Sequence, residues 1–151
     1  MRLPLLLLTL TLTLTASAQT EAPPTGIVSL ASLRNNARVL LIFASKPDDP
    51  QLEIQLRTLN EHASAAADRD LVAIALPYQN PSPTPASFTS SEAEAIRRRF
   101  NIAPGDFAVI LLGRDGGEKL RSGKPLSIDK LNTAIDAMPM RQDEMHFQAQ
   151  H

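Results

Sequence analysis

Apolar runs alternate with amphipathic segments along most of this chain. Three of the runs are continuous and rich in branched side chains, which is typical of strands buried on both faces of a sheet. They cover residues 38–44, 71–76 and 107–112. A shorter segment, 118–121, follows Arg114-Asp115-Gly116-Gly117. Because glycines tolerate the backbone of tight turns, we predict that this segment returns antiparallel to the third run.

The segment after the first apolar run predicts an amphipathic helix. Asp49 can cap its first turn, and Pro50 loses no hydrogen bond at the first helical position. Apolar residues then recur at three- and four-residue spacing, which predicts one buried face. These residues are Leu52, Leu56, Leu59, Ala63 and Ala66.

Two further long helices are predicted, and a short helical turn is expected at 30–36. Ser91 and Glu94 have the spacing of a capping box, before a helix that reaches about Phe100. Ser127 precedes the last helix, which we expect to end at Pro139. Its predicted buried positions are Ile128, Leu131, Ile135 and Met138.

The resulting order, β-α-β-α-β-β-α, predicts an α/β fold with a mixed sheet and helices on both faces. A parallel βαβ half is followed by a helix, a hairpin and a closing helix, which is the minimal thioredoxin-like arrangement. We assign this domain to residues 27–139, and the polar segment 140–151 to a flexible tail. Residues 77–89 contain four prolines and predict a long surface loop.

The first eighteen residues resemble a cleavable signal peptide. Arg2 precedes a leucine-rich stretch, and Ala16-Ser17-Ala18 offers the small residues of a cleavage site before Gln19. We therefore expect export to the periplasm or the medium, with 19–26 as a linker. The apolar stretch is short and interrupted by threonines, so we expect no membrane anchor after cleavage.

Composition narrows the possible functions. Removal of residues 1–18 takes away one base and no acid, leaving 14 basic and 16 acidic residues and a formal charge of −2. This balance does not favour a nucleic-acid binder that relies on phosphate neutralisation. The chain contains no cysteine, so neither disulfides nor thiol chemistry are available to it.

Three stretches carry a family resemblance: RVLLIFASKPDDPQLEIQL, IRRRFNIAPGDFAVILLGRDGGEKLRS and IDAMPMRQDEM. They resemble the DUF4174 family, a thioredoxin-like domain of unknown function, over roughly Val28 to Met145. Related domains occur in bacterial exported proteins and, beside sushi repeats, in secreted vertebrate matrix proteins. The resemblance implies a fold and an exported location, and it implies no particular reaction.

Comparison with thioredoxins shows which of their active-site residues this sequence lacks. Their first buried strand runs into a Cys-x-x-Cys turn at a helix start, where the helix end stabilises a thiolate. Here Asp48 stands at roughly the place of the nucleophilic cysteine and Gln51 at that of its partner. Thioredoxins also place a proline immediately before the third strand, and Pro104 is the nearest one here. A thiol oxidoreductase or peroxidase is therefore excluded.

Two groups of charged residues are candidate ligand-binding sites. Asp48 and Asp49 could bind a cation or act as acid and base, or Asp49 could be a helix cap with Asp48 its solvated neighbour. Arg98 lies in the basic run Arg97 to Arg99, which could bind an anion. Successive helical residues point about 100° apart, so these arginines more simply form the exposed side of a helix.

The C-terminal region suggests a third candidate. Met140, Met145 and His146 offer thioether and imidazole ligands that suit Cu(I). Packing of Met138 and Met140 against the core, followed by a tail, explains the same residues without a metal. We predict no cofactor.

The leading functional hypothesis is an exported binding or scaffold module whose partner is a protein or a small ligand. One alternative is a non-thiol enzyme, hydrolytic or otherwise, that uses a carboxylate or arginine at the first βα turn. The other is a periplasmic copper-binding protein.

Overall fold

The computed structural model describes residues 29–79 and 88–150. The predicted signal peptide, the linker and residues 80–87 of the proline loop lie outside the described residues. In chain order the described elements are α1 (Leu30–Leu33), β1 (Arg38–Ala44), α2 (Pro50–Glu61), α3 (Ala63–Asp68), β2 (Leu71–Pro77), α4 (Ser90–Arg99), β3 (Ala108–Leu112), β4 (Glu118–Ser122), α5 (Ile128–Asp136) and α6 (Pro139–Gln148).

The four strands form one mixed sheet in the order β2-β1-β3-β4. β1 pairs parallel with β2 and antiparallel with β3, and β3 pairs antiparallel with β4 across the predicted hairpin. In the turn, Gly116 has a φ of +76°, which is why a glycine is needed there. The predicted mixed sheet is therefore confirmed.

β2 is an edge strand, and this corrects the prediction that it is buried on both faces. Leu71 and Val72 are half-buried and Ala73 is exposed, whereas every residue of β1 is buried. Continuous apolar character does not distinguish a central strand from an edge strand that helices partly cover.

Alternate side chains of β1 point into two cores. Leu40 and Ile42 pack with Leu52 of α2 and Leu131 of α5 on one face of the sheet. On the other face, Leu41 and Phe43 pack with Ile96 and Phe100 of α4 and with residues of α1. Helices on both faces are thus confirmed.

The first long helix differs from its prediction in phase and in continuity. His62 separates α2 from α3, and Ala63 is exposed. Leu56 is 40 % exposed, whereas Gln55 is fully buried at 0 %. The Gln55 amide donates to the backbone oxygen of Leu126 at 3.2 Å and accepts from its amide at 2.7 Å. Gln55 is therefore buried because its side chain supplies hydrogen-bond partners for the backbone of the loop that precedes α5.

The fourth helix begins earlier than predicted. Thr89, not Ser91, is the cap: its hydroxyl accepts from the Glu92 amide, and Glu92 accepts from the Thr89 amide at 2.9 Å. Hydrogen bonds that the Thr89 amide and hydroxyl donate to the Glu92 carboxylate hold the pKa of Glu92 below its usual value. Phe88 and Ala93, which flank this capping box, both pack against the α4 core. The capping box, together with this apolar packing on both sides of it, places the start of the helix at Ser90.

Pro139 begins a helix, which corrects the prediction of a tail without regular structure. α6 runs from Pro139 to Gln148, since proline loses no hydrogen bond at the first helical position. Arg141 is buried and donates to the backbone oxygen and the carboxylate of Asp68. It also pairs with Asp136 and Glu144, each at 3.4 Å. These contacts dock α6 onto the domain.

Candidate functional site

The carboxyl ends of β1 and β2 and the start of β3 lie together at one end of the strands. The register pairs Ala44 with Pro77, and Phe43 with Ala108. We call this the carboxyl edge. The turn into α2, which corresponds to the cysteine turn of thioredoxins, begins there.

The two carboxylates of this turn have structural roles. Asp49 caps α2: its Oδ1 accepts from the Gln51 amide at 2.9 Å, and Ser45 Oγ lies 3.4 Å from its Oδ2. Asp48 is exposed and pairs with Lys46 at 3.3 Å. In the structure, therefore, Asp49 is the cap of α2 and Asp48 is its solvated neighbour, which is one of the two interpretations of the sequence.

Arg97 is the central side chain of the carboxyl edge. It is 5 % exposed, and one of its terminal nitrogens donates to the backbone oxygens of both Ala44 and Leu76. Its guanidinium lies over the rings of Phe43 and Tyr78, at 5.4 and 5.5 Å from their centres. Burial lowers the pKa of Arg97, and the nearby Tyr78 and Asp106 oppose this shift.

The burial of Arg97 corrects the prediction that Arg97, Arg98 and Arg99 form the exposed side of a helix. A signal for its burial was present in the sequence, because Ala93, Ile96, Arg97 and Phe100 follow the spacing of one helical face. A charged residue at such a position is rarely buried unless it is paired, and here three backbone oxygens accept from it, the third being that of Ala103.

Arg98 and Arg99 point elsewhere. Arg98 is exposed and pairs with Glu94 at 2.7 Å, and Arg99 donates to the backbone oxygen of Gly116 at 3.2 Å. α4 and α2 pack on opposite faces of the sheet. Within residues 29–79 and 88–150, no hydrogen bond or ion pair joins Arg98 to Asp48 or Asp49, so the three candidate residues do not form one site.

A cleft of about 270 Å³ opens beside Arg97. Its walls are the end of β2 and the first turns of α4, and it is lined by Pro77, Tyr78, Ser90, Ala93, Glu94 and Arg97. We call it the tyrosine cleft. Tyr78, the single tyrosine of the chain, is half-exposed there, and its backbone amide donates to the oxygen of Ala44 at 2.9 Å. The cleft therefore exposes part of an aromatic ring that is in contact with the buried guanidinium of Arg97.

Pro104 does not take the position of the thioredoxin proline. The amide of Asp106 donates to the oxygen of Ala103 at 3.1 Å, so Pro104 and Gly105 form the middle of a turn. Phe107 then separates this turn from β3.

The proposed copper ligands Met140, Met145 and His146 lie on α6. Met138, just before this helix, is buried in the core with Leu131 and Ile135 of α5. Met140 and His146 are exposed and Met145 is half-buried. At about 100° per residue, the three side chains are spread around the helix and do not converge on one ion. No cluster of three histidine, cysteine, aspartate or glutamate residues that could hold a metal lies within the described residues.

No helix in the described part of the chain is both long and apolar enough to cross a membrane.

Solved structures with a similar fold include peroxidases and an oxidoreductase. The reduced 2-Cys peroxiredoxin of Plasmodium vivax superposes with a TM-score of 0.56 at 14% identity, covering 76% of this chain and 84% of that one. Thioredoxin peroxidase I of Plasmodium yoelii gives 0.54 at 14% identity, covering 77% and 80%. The DsbH oxidoreductase gives 0.51 at 13% identity, covering 82% and 96%. At this identity the similarity shows a thioredoxin-like fold and no shared activity.

No curated protein matches the sequence. The model of DUF4174, described as a domain of unknown function, matches residues 29–144, from the cap of α1 into α6. This match covers most of the described chain and includes Arg97, the tyrosine cleft and the start of α6. The protein belongs to the DUF4174 family.

Proposed function

We propose that this protein is an exported binding module that holds a segment of a partner protein in the tyrosine cleft and carries out no redox chemistry. The observation that carries the proposal is Arg97, a buried cation beneath a half-exposed aromatic ring at the carboxyl edge. Tyrosine and arginine are the residue types that most often dominate protein interfaces.

The surroundings of Arg97 favour binding over catalysis. Its nitrogens already donate to three backbone oxygens, so it holds the two strand ends rather than a reacting group. Asp49 is engaged as a helix cap and Asp48 in an exposed ion pair. The tyrosine cleft instead offers a ring face and the Ser90 hydroxyl, which suit the apolar and polar groups of a peptide segment.

Export rests on the sequence of residues 1–18. Cell fractionation followed by N-terminal sequencing tests it: the protein of the envelope or medium should begin at Gln19. Recovery of the uncleaved chain in the cytoplasm would overturn this part of the proposal.

Site-specific photo-crosslinking tests the binding role. A photoreactive phenylalanine analogue replaces Tyr78 in one variant and Ser64, an exposed residue of α3, in a matched control. We expect a discrete crosslinked partner from position 78 and none from position 64. No adduct at 78 in a folded protein, or the same adducts from both positions, would contradict the proposal.

A broad substrate screen separates binding from the enzymatic alternative. If the mature protein turned over a substrate, and Asp48→Asn or Arg98→Ala abolished that turnover with the fold intact, the enzyme hypothesis would replace the binding role.

A further inference from the structure

β2 is one of the two edge strands of the sheet, and its register with β1 shows which of its backbone groups point outward. Asp70 accepts a hydrogen bond from the first residue of β1, and Tyr78 donates one to the last, each at 2.9 Å. Because the backbone groups of a strand alternate between its two sides, every second residue counted from Asp70 bonds to β1. The residues whose N–H and C=O groups point away from the sheet are therefore Leu71, Ala73 and Ala75.

The outward groups of β2 have no partner among residues 29–79 and 88–150. Neither a turn, a loop nor another strand in this part of the chain forms a backbone hydrogen bond with Leu71, Ala73 or Ala75 on that side. Ala73, in the middle of the strand, is exposed. An edge strand with unpaired donors and acceptors is a template for a further strand.

The two ends of β2 limit where a further strand can pair. Asp70, just before the strand, has a φ of +47°, which takes the chain out of the extended conformation. Pro77, at the other end, has no N–H to donate. An antiparallel partner strand centred on Ala73 would use the N–H and C=O groups of all three outward residues.

The charges of the two edge strands differ in a way that bears on pairing between two copies. In a symmetric antiparallel pair, the residues on either side of the centre lie opposite each other. For β4 the central residue is Leu120, so Lys119 of one copy would face Arg121 of the other. Like charges directly opposite are destabilising. β2 has no charged side chain, so pairing with itself meets no such repulsion.

Small side chains beside β2 also permit the approach of a second copy. α3, which precedes β2 and contacts it, consists of alanine and serine up to its last residue, Asp68. It therefore has no long apolar or basic side chain that would cover the edge. The formal charge of the chain is only −1, so repulsion between two copies is weak.

We propose that the protein forms a symmetric dimer in which β2 of one copy pairs antiparallel with β2 of another, centred on Ala73. Leu71 of each copy then faces Ala75 of the other, and two four-stranded sheets become one sheet of eight strands. The interface is isologous, so each contact is made twice. The dimer does not depend on the partner proposed for the tyrosine cleft, because the pairing residues do not line that cleft.

Sedimentation velocity of the mature protein over a concentration series tests the dimer. Ala73→Pro removes one outward N–H and no hydrogen bond to β1, and proline is tolerated at such edge positions. Ala73→Ser keeps this N–H and is the matched control. We expect a dimer whose association Ala73→Pro weakens about tenfold or more and Ala73→Ser leaves unchanged. A parent protein that is monomeric at every concentration would overturn the proposal, as would unchanged association in Ala73→Pro.

Disulfide crosslinking tests the register without relying on the proline variant. The natural chain contains no cysteine that would interfere. In the proposed pair, the Cα atoms of the two Ala73 residues lie about 5.5 Å apart, which a disulfide can span. Mild oxidation should crosslink Ala73→Cys into a dimer and leave Lys130→Cys, at an exposed position of α5, monomeric. Equal crosslinking of both variants, or of neither, would contradict the register.

Mass spectrometry of the photo-crosslinked adducts separates this dimer from the partner of the tyrosine cleft. Adducts of the chain with itself belong to the dimer, and Ala73→Pro should remove them once circular dichroism has shown that the variant is folded. An adduct with a different protein belongs to the tyrosine cleft and should persist in Ala73→Pro. If Ala73→Pro removed that adduct and the parent protein formed no dimer, β2 would pair with a strand of the partner, and the proposed dimer would be wrong.

Discussion

Arg97 and Arg98 are adjacent and chemically identical, yet the structure gives them opposite surroundings. Arg97 is buried against two strand ends and two aromatic rings, whereas Arg98 is exposed beside Glu94. Substituting each by alanine isolates the effect of burial, because the helix and the residue type are the same. We expect Arg97→Ala to destabilise the domain strongly and Arg98→Ala to have almost no effect.

The magnitude follows from the contacts of Arg97. Hydrogen bonds from a charged donor contribute about 1.5–3 kcal/mol each, and the ring contacts add about 1–2 kcal/mol. Relief of the desolvation of the guanidinium offsets several kcal/mol of this. We therefore expect a net loss of about 3 kcal/mol in the free energy of unfolding, or about 10 °C in the melting temperature of a domain this size. The exposed pair of Arg98 contributes only about 0.3–0.5 kcal/mol.

Urea unfolding of the parent protein and of each variant, followed by far-UV circular dichroism, measures both losses in the free energy of unfolding. Equal slopes against urea would show that the same surface unfolds in each variant. Arg97→Lys serves as an intermediate case, since an ammonium keeps the charge but loses the planar geometry of the guanidinium. If Arg97→Ala lost no more stability than Arg98→Ala, the structural role assigned to Arg97 would be refuted.

Three further predictions concern the elements around the sites. Gln55→Ala should cost about 2–4 kcal/mol, because it leaves the amide and the oxygen of Leu126 buried without partners; denaturant unfolding checks this, and a loss typical of a surface position would argue against it. A hydrogen bond from Arg69 holds the pKa of Asp136 low. Burial raises the pKa of Glu144, but contacts with Arg38 and Arg114 outweigh burial and hold that pKa low as well. Because both folded-state values lie below the ordinary values of about 3.9 and 4.3, these groups stabilise the fold above that range, and the contribution is lost as the pH falls through the folded-state values. Melting temperatures from pH 6 to about pH 3 should show this loss, and Asp136→Asn should make the curve shallower. Thr89→Ala should cost about 1 kcal/mol through the lost cap, and a melting temperature equal to that of the parent protein would contradict the assignment.

The sheet and the last predicted helix were predictable because local pattern and global packing agree there. The predicted segment from Arg38 to Ala44 forms a strand with those limits, and Ser127 caps α5 as its position before the apolar pattern indicated. Where strands are central and helices amphipathic, the period of the apolar residues carries most of the information.

Two polar side chains whose burial was not predicted are buried because they form hydrogen bonds with distant backbone groups. Gln55 is buried for Leu126, which lies 71 residues further on, and Arg97 for Ala44, 53 residues earlier. No local pattern encodes such partners. The candidate site was predictable as an edge of the sheet, and the helical spacing of Arg97 indicated its burial. The backbone oxygens that accept from Arg97 were found only from the structure.

α6 was missed for a related reason. A proline followed by polar residues is compatible with either the end of one helix or the start of another. The contacts of Arg141 with Asp68 and Asp136 select the second possibility, and they form only in the folded domain.

The pairing of Arg38 with Glu144 also bears on when the chain can fold. Arg38 is buried in the first strand of the sheet, and the carboxylate that it contacts lies 106 residues further along the chain. While the chain is being synthesised, that strand must either stay in water or bury an unpaired charge, which is strongly unfavourable. The native state therefore becomes accessible only once the segment that carries Glu144 has been made, because before then the strand that begins at Arg38 cannot be buried with its charge paired.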